Sequence, residues 1–568
     1  MIQKRFDFLK NPTILAFALN VFFLAGYFVF GIVRYGGLDD YFMSGVLTGA
    51  YGSVYDVHLY FINAIFAYVL KPFFWLFPNV GWFYFFELFE VFASLFVITF
   101  IFIRRSGVKW GGLLSFFLLA CIAPDFYSNV NFTQCATILT AAGVLLLAVG
   151  DIERKKGLIF GSLFFLIGGY VMRSDAFMIA MPFACVLLVS NFLDSRKIYW
   201  KTLLTILLCM FAIWGLKSFN RNLYQNNEYS YYAAYQGPRA FFGDGRYYDG
   251  ESTYDELEER GMQGRDFYHL QNWDFYDTDV FCLDSINAIA KVVRRNMYVP
   301  NKLRMPAAFV IVLSNAFSRM NAWCWAVLCI FLILFSNKKS RLYPWVSLGI
   351  VGMCIGYLLL VNRVVYHVET GIWLCATTAA IAFMPRGEDF FKGKASKYQR
   401  VAVLGLALVS VAFIIMATPS HKETERRGLV SIPELSPENA AFLDYARNHP
   451  NDVFLMAFEP YKRLAEMKDA AYKVIPPGSW DNIIPIGYWN IHLPQMKREL
   501  AKRGVHNPLR DIVNENVYVV EDSRANYAYF YETHYHKKLV VDTVLVLGET
   551  LMFKYREKGA GDEKDPEN

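Results

Sequence analysis

Residues 132–150 read Phe-Thr-Gln-Cys-Ala-Thr-Ile-Leu-Thr-Ala-Ala-Gly-Val-Leu-Leu-Leu-Ala-Val-Gly, without one Asp, Glu, Lys or Arg, and the chain then turns basic at Arg154-Lys155-Lys156. As a helix rising about 1.5 Å per residue, this run is roughly 28 Å long, close to the thickness of a bilayer's hydrocarbon core. It has many counterparts. Apolar blocks that read as crossings fall at 13–33, 83–103, 110–123, 132–150, 157–171, 176–193, 202–219, 320–336, 343–361, 370–384 and 400–417, eleven in all. Two weaker stretches accompany them: 57–77, interrupted by Asn63, Lys71 and Pro72, and 306–317, which is short. The apolar blocks nearly vanish after residue 417. The composition agrees: 55% of the 568 residues are hydrophobic and 17% aromatic, where a soluble chain holds about 45–50% apolar residues.

Charge sets the orientation, because cytoplasmic loops are enriched in Lys and Arg. Short basic connections occur at Lys4/Arg5/Lys10, Arg104/Arg105/Lys109, Arg154/Lys155/Lys156, Arg196/Lys197/Lys201, Lys338/Lys339/Arg341 and from Arg386 to Arg400. With eleven crossings, all of them share the side of the N-terminus, which is then cytoplasmic. A crossing at 57–77 would send every later basic loop to the other side, so that stretch reads as an interfacial or re-entrant helix. The segments 34–82, 124–131, 173–175, 220–305 and 362–369, and everything after 417, then face outward. Met1 to Lys10 is basic and leads into an apolar run with no small-residue cleavage site, so it reads as a retained first helix. The net charge of +6 is small and forms no basic tract that would suit nucleic acid. Eight of the nine cysteines lie in or beside apolar blocks, with only Cys282 in a long polar segment, and no metal-ligand or disulfide spacing emerges.

The unusual polar residues gather on the outward side. Asp39 and Asp40 follow the first span directly. Consecutive helix residues do not share a face, so one can meet a substrate while the other caps a helix or contacts backbone. An outward carboxylate here suits a general base or a divalent cation, and Asp also suits a plain N-cap. Arg173 and Asp175 sit at the outer end of the fifth span, where an Arg can grip phosphate, pair with the Asp or snorkel to headgroups. Asp125, Arg363, His367 and Glu369 border the same face, and Arg319 precedes the eighth span.

Segment 220–305 is rich in Tyr and Asp and includes Asn272-Trp273-Asp274-Phe275-Tyr276-Asp277. Its aromatic faces and carboxylates suit carbohydrate, and equally a loop resting on lipid headgroups. Residues 418–435 read as a polar linker, 436–556 as a small α/β domain, and 557–568 as a charged, disordered tail. Within the domain, helices are expected at 437–449, 459–469 and 497–503. Strands are expected at 453–458, at 516–520 and in two runs between 539 and 555. No phosphate-binding loop, nucleophile elbow or dinucleotide turn is present.

This layout, with an inward N-terminus, a first helix and the acidic pair Asp39-Asp40 opening the first outer loop, resembles the GT-C superfamily of polytopic glycosyltransferases. The stretch Leu38-Asp-Asp-Tyr-Phe-Met-Ser-Gly-Val-Leu-Thr-Gly-Ala-Tyr-Gly and the turn Phe77-Pro-Asn-Val-Gly-Trp are also similar to a group of bacterial membrane proteins. So are Asn272-Trp-x-Phe-x-Asp277, Gly504-Val-His-Asn507-Pro508-Leu-Arg510-Asp511 and Glu532-Thr-His534-Tyr535. The resemblance implies a mainly α, polytopic bundle over residues 1–417, of about eleven spans plus interfacial helices, with a small extracytoplasmic α/β domain in a bacterial plasma membrane. It implies an inverting transfer from a polyprenyl-phosphate sugar to a glycan, lipid or protein acceptor. Asp39 or Asp40 would be the base, and Arg173 a phosphate contact by position in the layout. Asp125, Asp175, Arg363, His367 and Trp273 complete the candidate substrate-binding set. A non-catalytic assembly protein and a lipid-linked sugar flippase are the alternatives.

Overall fold

The computed structural model describes residues 10–30, 34–225, 227–243, 249–297, 304–316, 319–361, 363–387, 398–417, 437–465, 471–521, 527–547 and 550–559. The expected linker, 418–435, lies outside the described residues, as does the tail from 560 onward. The chain is mainly helical. Among the described residues, six helical stretches are long and apolar enough to cross a membrane: Pro12–Val29, Trp82–Ser128, Phe132–Glu153, Ser174–Ser195, Trp200–Gln225 and Ser340–Leu360. A seventh arises if Pro306–Asn315 and Met320–Phe335, which meet at 88°, form one broken span. These stretches mark a membrane protein.

Six or seven is fewer than the eleven blocks in the sequence, and length is the main reason. The helices Lys156–Met172, Met320–Phe335 and Tyr366–Ile381 have 17, 16 and 16 residues, where an unassisted crossing takes about 20. The 47-residue Trp82–Ser128 stretch also contains two blocks. Gly107 interrupts it at φ 80°, ψ 158°, and a Cβ on Gly111 would fall 2.5 Å from the Cα of Ile103. Residues eight apart in a straight helix are separated by roughly 12 Å, so the chain doubles back into a helical hairpin. The helix Phe132–Glu153 is the axis of the bundle, buried along nearly its whole length. The helix Trp200–Gln225 is peripheral: Phe211 and Trp214 are 69% and 64% exposed, a surface suited to lipid.

Side-chain contacts sort the connections into two ends. At one end Arg104 pairs with Glu153, Lys339 with Asp194, Arg154 donates to the Lys197 carbonyl and Arg105 to that of Ala382. At the other, β1 (Arg34–Tyr35) pairs in parallel with β2 (Asn129–Val130), and Arg173 donates to Thr133. The helix Ala64–Leu76, 13 residues with Pro72 inside, has both termini at this second end. Asn63 donates to the carbonyl of Leu216, and Gly81 N–H donates to that of Tyr472.

Among the described residues, four helices lie wholly within segment 220–305: Ser230–Gly243, Gly250–Glu259, Gly264–Gln271 and Leu283–Arg295. The last buries Ile286, Ile289, Ala290 and Val293, the spacing of one helix face. The later chain forms β3 (Val453–Met456), β4 (Ile483–Pro485), β5 (Val517–Glu521), β6 (Leu539–Leu547) and β7 (Thr550–Glu557), in the sheet order β4-β3-β5-β7-β6. β3 runs parallel to β4 and β5, while β7 is antiparallel to β5 and β6. The helices expected at 459–469 and 497–503 run Phe458–Ala465 and Pro494–Lys502.

This sheet does not stand apart from the preceding loops. Trp480 N–H donates to the Ala50 carbonyl at 2.8 Å, and its ring leaves no room for a side chain at Gly45, where a Cβ would come within 2.2 Å. The Tyr51 and Tyr461 hydroxyls meet at 2.7 Å, and Gln236 donates to the Trp489 carbonyl at 2.7 Å. Parts of 34–63, 220–297 and 437–559 thus share one layer and one core.

Candidate functional site

The stretch Arg34-Tyr-Gly-Gly-Leu-Asp39-Asp40 carries the local logic of the site. β1 lies so close to β2 that a Cβ on Gly36 would sit 2.3 Å from the Asn129 carbonyl oxygen. One on Gly37 would sit 2.9 Å from the Asn131 amide nitrogen. The two glycines let the helix Leu38–Thr48 start directly against the N-terminus of the axial helix.

Asp40 is fully buried there. Its carboxylate accepts the Phe132 backbone N–H at 2.8 Å and the Asn131 side-chain amide at 2.6 Å. Asn131 in turn caps the axial helix by accepting the Thr133 N–H. A carboxylate is favoured at such a helix start. Burial pushes Asp40 up to about 7, against the pull of these donors. Glu87, also fully buried, faces it. Of the adjacent pair, Asp40 is the one that holds the fold.

Asp39, about 100° round the helix, is only partly buried. It accepts the Tyr488 hydroxyl at 2.6 Å. Burial first, and the Asp39 carboxylate second, push the Tyr488 hydroxyl well above the usual tyrosine range, so it stays a donor. The Tyr488 ring lies 5.6 Å from that of Trp273, which stacks on Phe458 at 5.5 Å and 20°. Trp273 and Tyr488 both sit at positive φ, 62° and 85°, strained for bulky residues and a recurrent mark of functional sites. Gly487 makes the approach possible, since a Cβ there would fall 1.8 Å from the Trp273 carbonyl oxygen.

Arg239 completes this group. It is 3% exposed, donates to Gln236 at 2.6 Å, and lies 5.6 Å over the Trp273 ring. No carboxylate pairs with it among the described residues. A buried cation without a counter-charge is costly, and an anionic ligand is what would offset it.

The other candidates fall into two groups. Arg173 donates to Thr133 at 2.6 Å and lies 5.0 Å over Phe132, so it shares the axial helix start with Asp40. His367 stands near Arg173. Asp125 accepts from Gln134, the residue after Thr133, at 2.9 Å. Asp175 is exposed in the first turn of Ser174–Ile179. Arg363 precedes the helix Tyr366–Ile381, its N–H bonded to Leu358. Glu369 and Arg319 approach at 3.9 Å, with Arg319 over the Tyr366 ring. Among the described residues, no three His, Cys, Asp or Glu gather as metal ligands.

The structure thus brings Asp39 and Trp273 together across Tyr488, and Asp40 and Arg173 together across the axial helix start. Tyr488, Arg239 and Glu87 were not legible as site residues. Only Arg239 carried a signal, as a lone cation within a Tyr-rich stretch. No family model and no curated protein matches the chain.

Proposed function

We propose that the protein is a polytopic membrane glycosyltransferase that moves a sugar from a polyprenyl-phosphate carrier to an acceptor hydroxyl at the outer face of a bacterial plasma membrane. All eleven apolar blocks would cross, the three shortest helices doing so within a locally thinned bilayer. The end of the bundle that collects the basic connections would be cytoplasmic. The layer containing the sheet, the Asp39 site and the helix Ala64–Leu76 would face outward.

The observation that carries this reading is the meeting, on one aromatic platform, of a partly open carboxylate, Asp39, with a buried arginine, Arg239, that pairs with no carboxylate among the described residues. Asp39 takes the proton of the acceptor hydroxyl as its oxygen bonds to the anomeric carbon. The bond from that carbon to the phosphate oxygen breaks, and its electrons leave with the phosphate. Arg239 holds the phosphate charge, with Arg173 a second cation at the same end of the bundle. The part-exposed Trp273 would contact the sugar ring.

The test is an assay of polyprenyl phosphate released from a panel of polyprenyl-phosphate sugars, with cell-envelope extract as acceptor. Wild type should turn over, and Asp39→Asn should lose at least a hundredfold in kcat while remaining folded. Full turnover by Asp39→Asn would remove it as base. Absence of turnover by wild type with every donor would sink the reading for those substrates and favour a partner-binding role.

A further inference from the structure

The same layer contains a polar cleft of about 470 Å³, within the range of roughly 300–1,000 Å³ usual for small-ligand sites. Its lining comes from the helices Gly250–Glu259, Gly264–Gln271, Leu283–Arg295 and Tyr527–Tyr535 and the turns beside them. Three separate stretches of chain converge to build it. Asp277 accepts the Tyr535 hydroxyl at 2.6 Å and the Asn507 amide at 3.0 Å, and Asp279 accepts from Arg510 at 3.0 Å. On the wall, His534 Nε2 meets the buried Asp266 carboxylate at 2.8 Å, with the ring nitrogen as donor.

The lining decides the ligand class. It includes Asp266 and Asp279 but no Lys or Arg, so it disfavours phosphate and other anions. Gln263, Ser285 and Thr533 place amide and hydroxyl groups beside the Asp266–His534 pair. Hydroxyls both donate and accept, and this mixture satisfies them in both roles. The Tyr535 ring adds an apolar face for the C–H surface of a sugar. We infer that this cleft binds a neutral sugar unit of a glycan. Its use as the acceptor subsite rests on the transferase reading.

The full chain in lipid nanodiscs can be titrated with methyl glycosides of glucose, galactose, mannose and N-acetylglucosamine and with their disaccharides, binding being read by saturation-transfer NMR. Glucose 1-phosphate and a Lys-Lys dipeptide serve as charged comparators. At least one neutral saccharide should bind, about tenfold more weakly to Asp266→Asn and about threefold more weakly to Gln263→Ala. Gln263 is exposed, so its variant keeps the test valid if Asp266→Asn misfolds. Silence from every saccharide, or preference for either charged comparator, overturns the inference. Saccharide binding without transferase turnover keeps the cleft and sinks the transferase. Turnover without saccharide binding does the reverse.

Discussion

Replacing Asp40 with Asn separates the two roles assigned to the acidic pair. Asp40 accepts two buried donors, the Phe132 N–H and the Asn131 amide. An Asn at position 40 keeps one acceptor oxygen and turns an NH2 toward the other donor. One buried donor then loses its partner, at about 1–3 kcal/mol, and a donor faces a donor. The expected deficit is therefore about 1–3 kcal/mol at pH 5, where Asp40 is mainly the neutral acid and a charge–dipole term adds nothing. Asp39→Asn leaves the Tyr488 hydroxyl an amide oxygen to donate to, and should change stability by less than about 1 kcal/mol. The pH dependence has a definite sign. Burial raises Asp40 from 3.8 to about 7, so the folded chain holds this proton more tightly than the unfolded one. The linked stability is complete below pH 3.8 and is lost as pH rises through 7. Wild type therefore weakens more steeply between pH 5 and 8 than Asp40→Asn, which lacks this one contribution, and the gap between them narrows. Thermal unfolding in nanodiscs at both pH values measures it. Equal losses for the two variants, or a larger loss for Asp39→Asn, would refute the division of roles.

Three further perturbations probe the surrounding layer. Asp274 is buried with one oxygen unpartnered and pushed up to about 7 by that burial. Asp274→Asn should flatten the loss of stability between pH 4 and 7, by up to about 4 kcal/mol, in the same unfolding assay. Gly487→Ala drives a Cβ into the Trp273 carbonyl, and should cost about 1–3 kcal/mol and quench the change in Trp273 fluorescence on donor binding. Arg239→Gln removes a charge-assisted contact worth about 1.5–3 kcal/mol, so the donor KM should rise about ten- to hundredfold. Because the variant also removes a buried charge that no carboxylate among the described residues pairs with, its melting temperature should hold or rise.

Much of the fold was open to reading because its signals are local. The apolar blocks correspond to helices, and Arg104, Arg105 and Lys109 mark the hairpin that turns at Gly107. The helices of 220–305 are harder to read: Ile286, Ile289, Ala290 and Val293 carry helical spacing, but a Tyr- and Asp-rich composition around them obscures the periodicity. The strands after residue 450 showed alternating or β-branched runs. Their merger with the first loop did not show. That merger depends on contacts such as Tyr488 with Asp39, 449 positions apart, and on the fit of Trp480 against Gly45. Nothing in either segment alone encodes the other.

The site followed a different rule. Asp40 obeys every local expectation for a carboxylate at a helix start, and its neighbours satisfy it. Asp39 has a partner drawn from far along the chain, and that partner, Tyr488, sits at a φ of 85° beside Trp273 at 62°. Arg239 is buried beside them, and no carboxylate among the described residues pairs with it. Folding alone does not favour such an arrangement: two strained aromatic residues and an unmatched charge each lower stability by roughly 1–3 kcal/mol or more. Elements this costly persist where the surrounding layer over-determines them, and interactions with a bound ligand can offset what they cost. The places where local rules fail in this chain therefore converge on one group, Asp39, Tyr488, Trp273 and Arg239, and the group supplies both a proton acceptor and an anion partner.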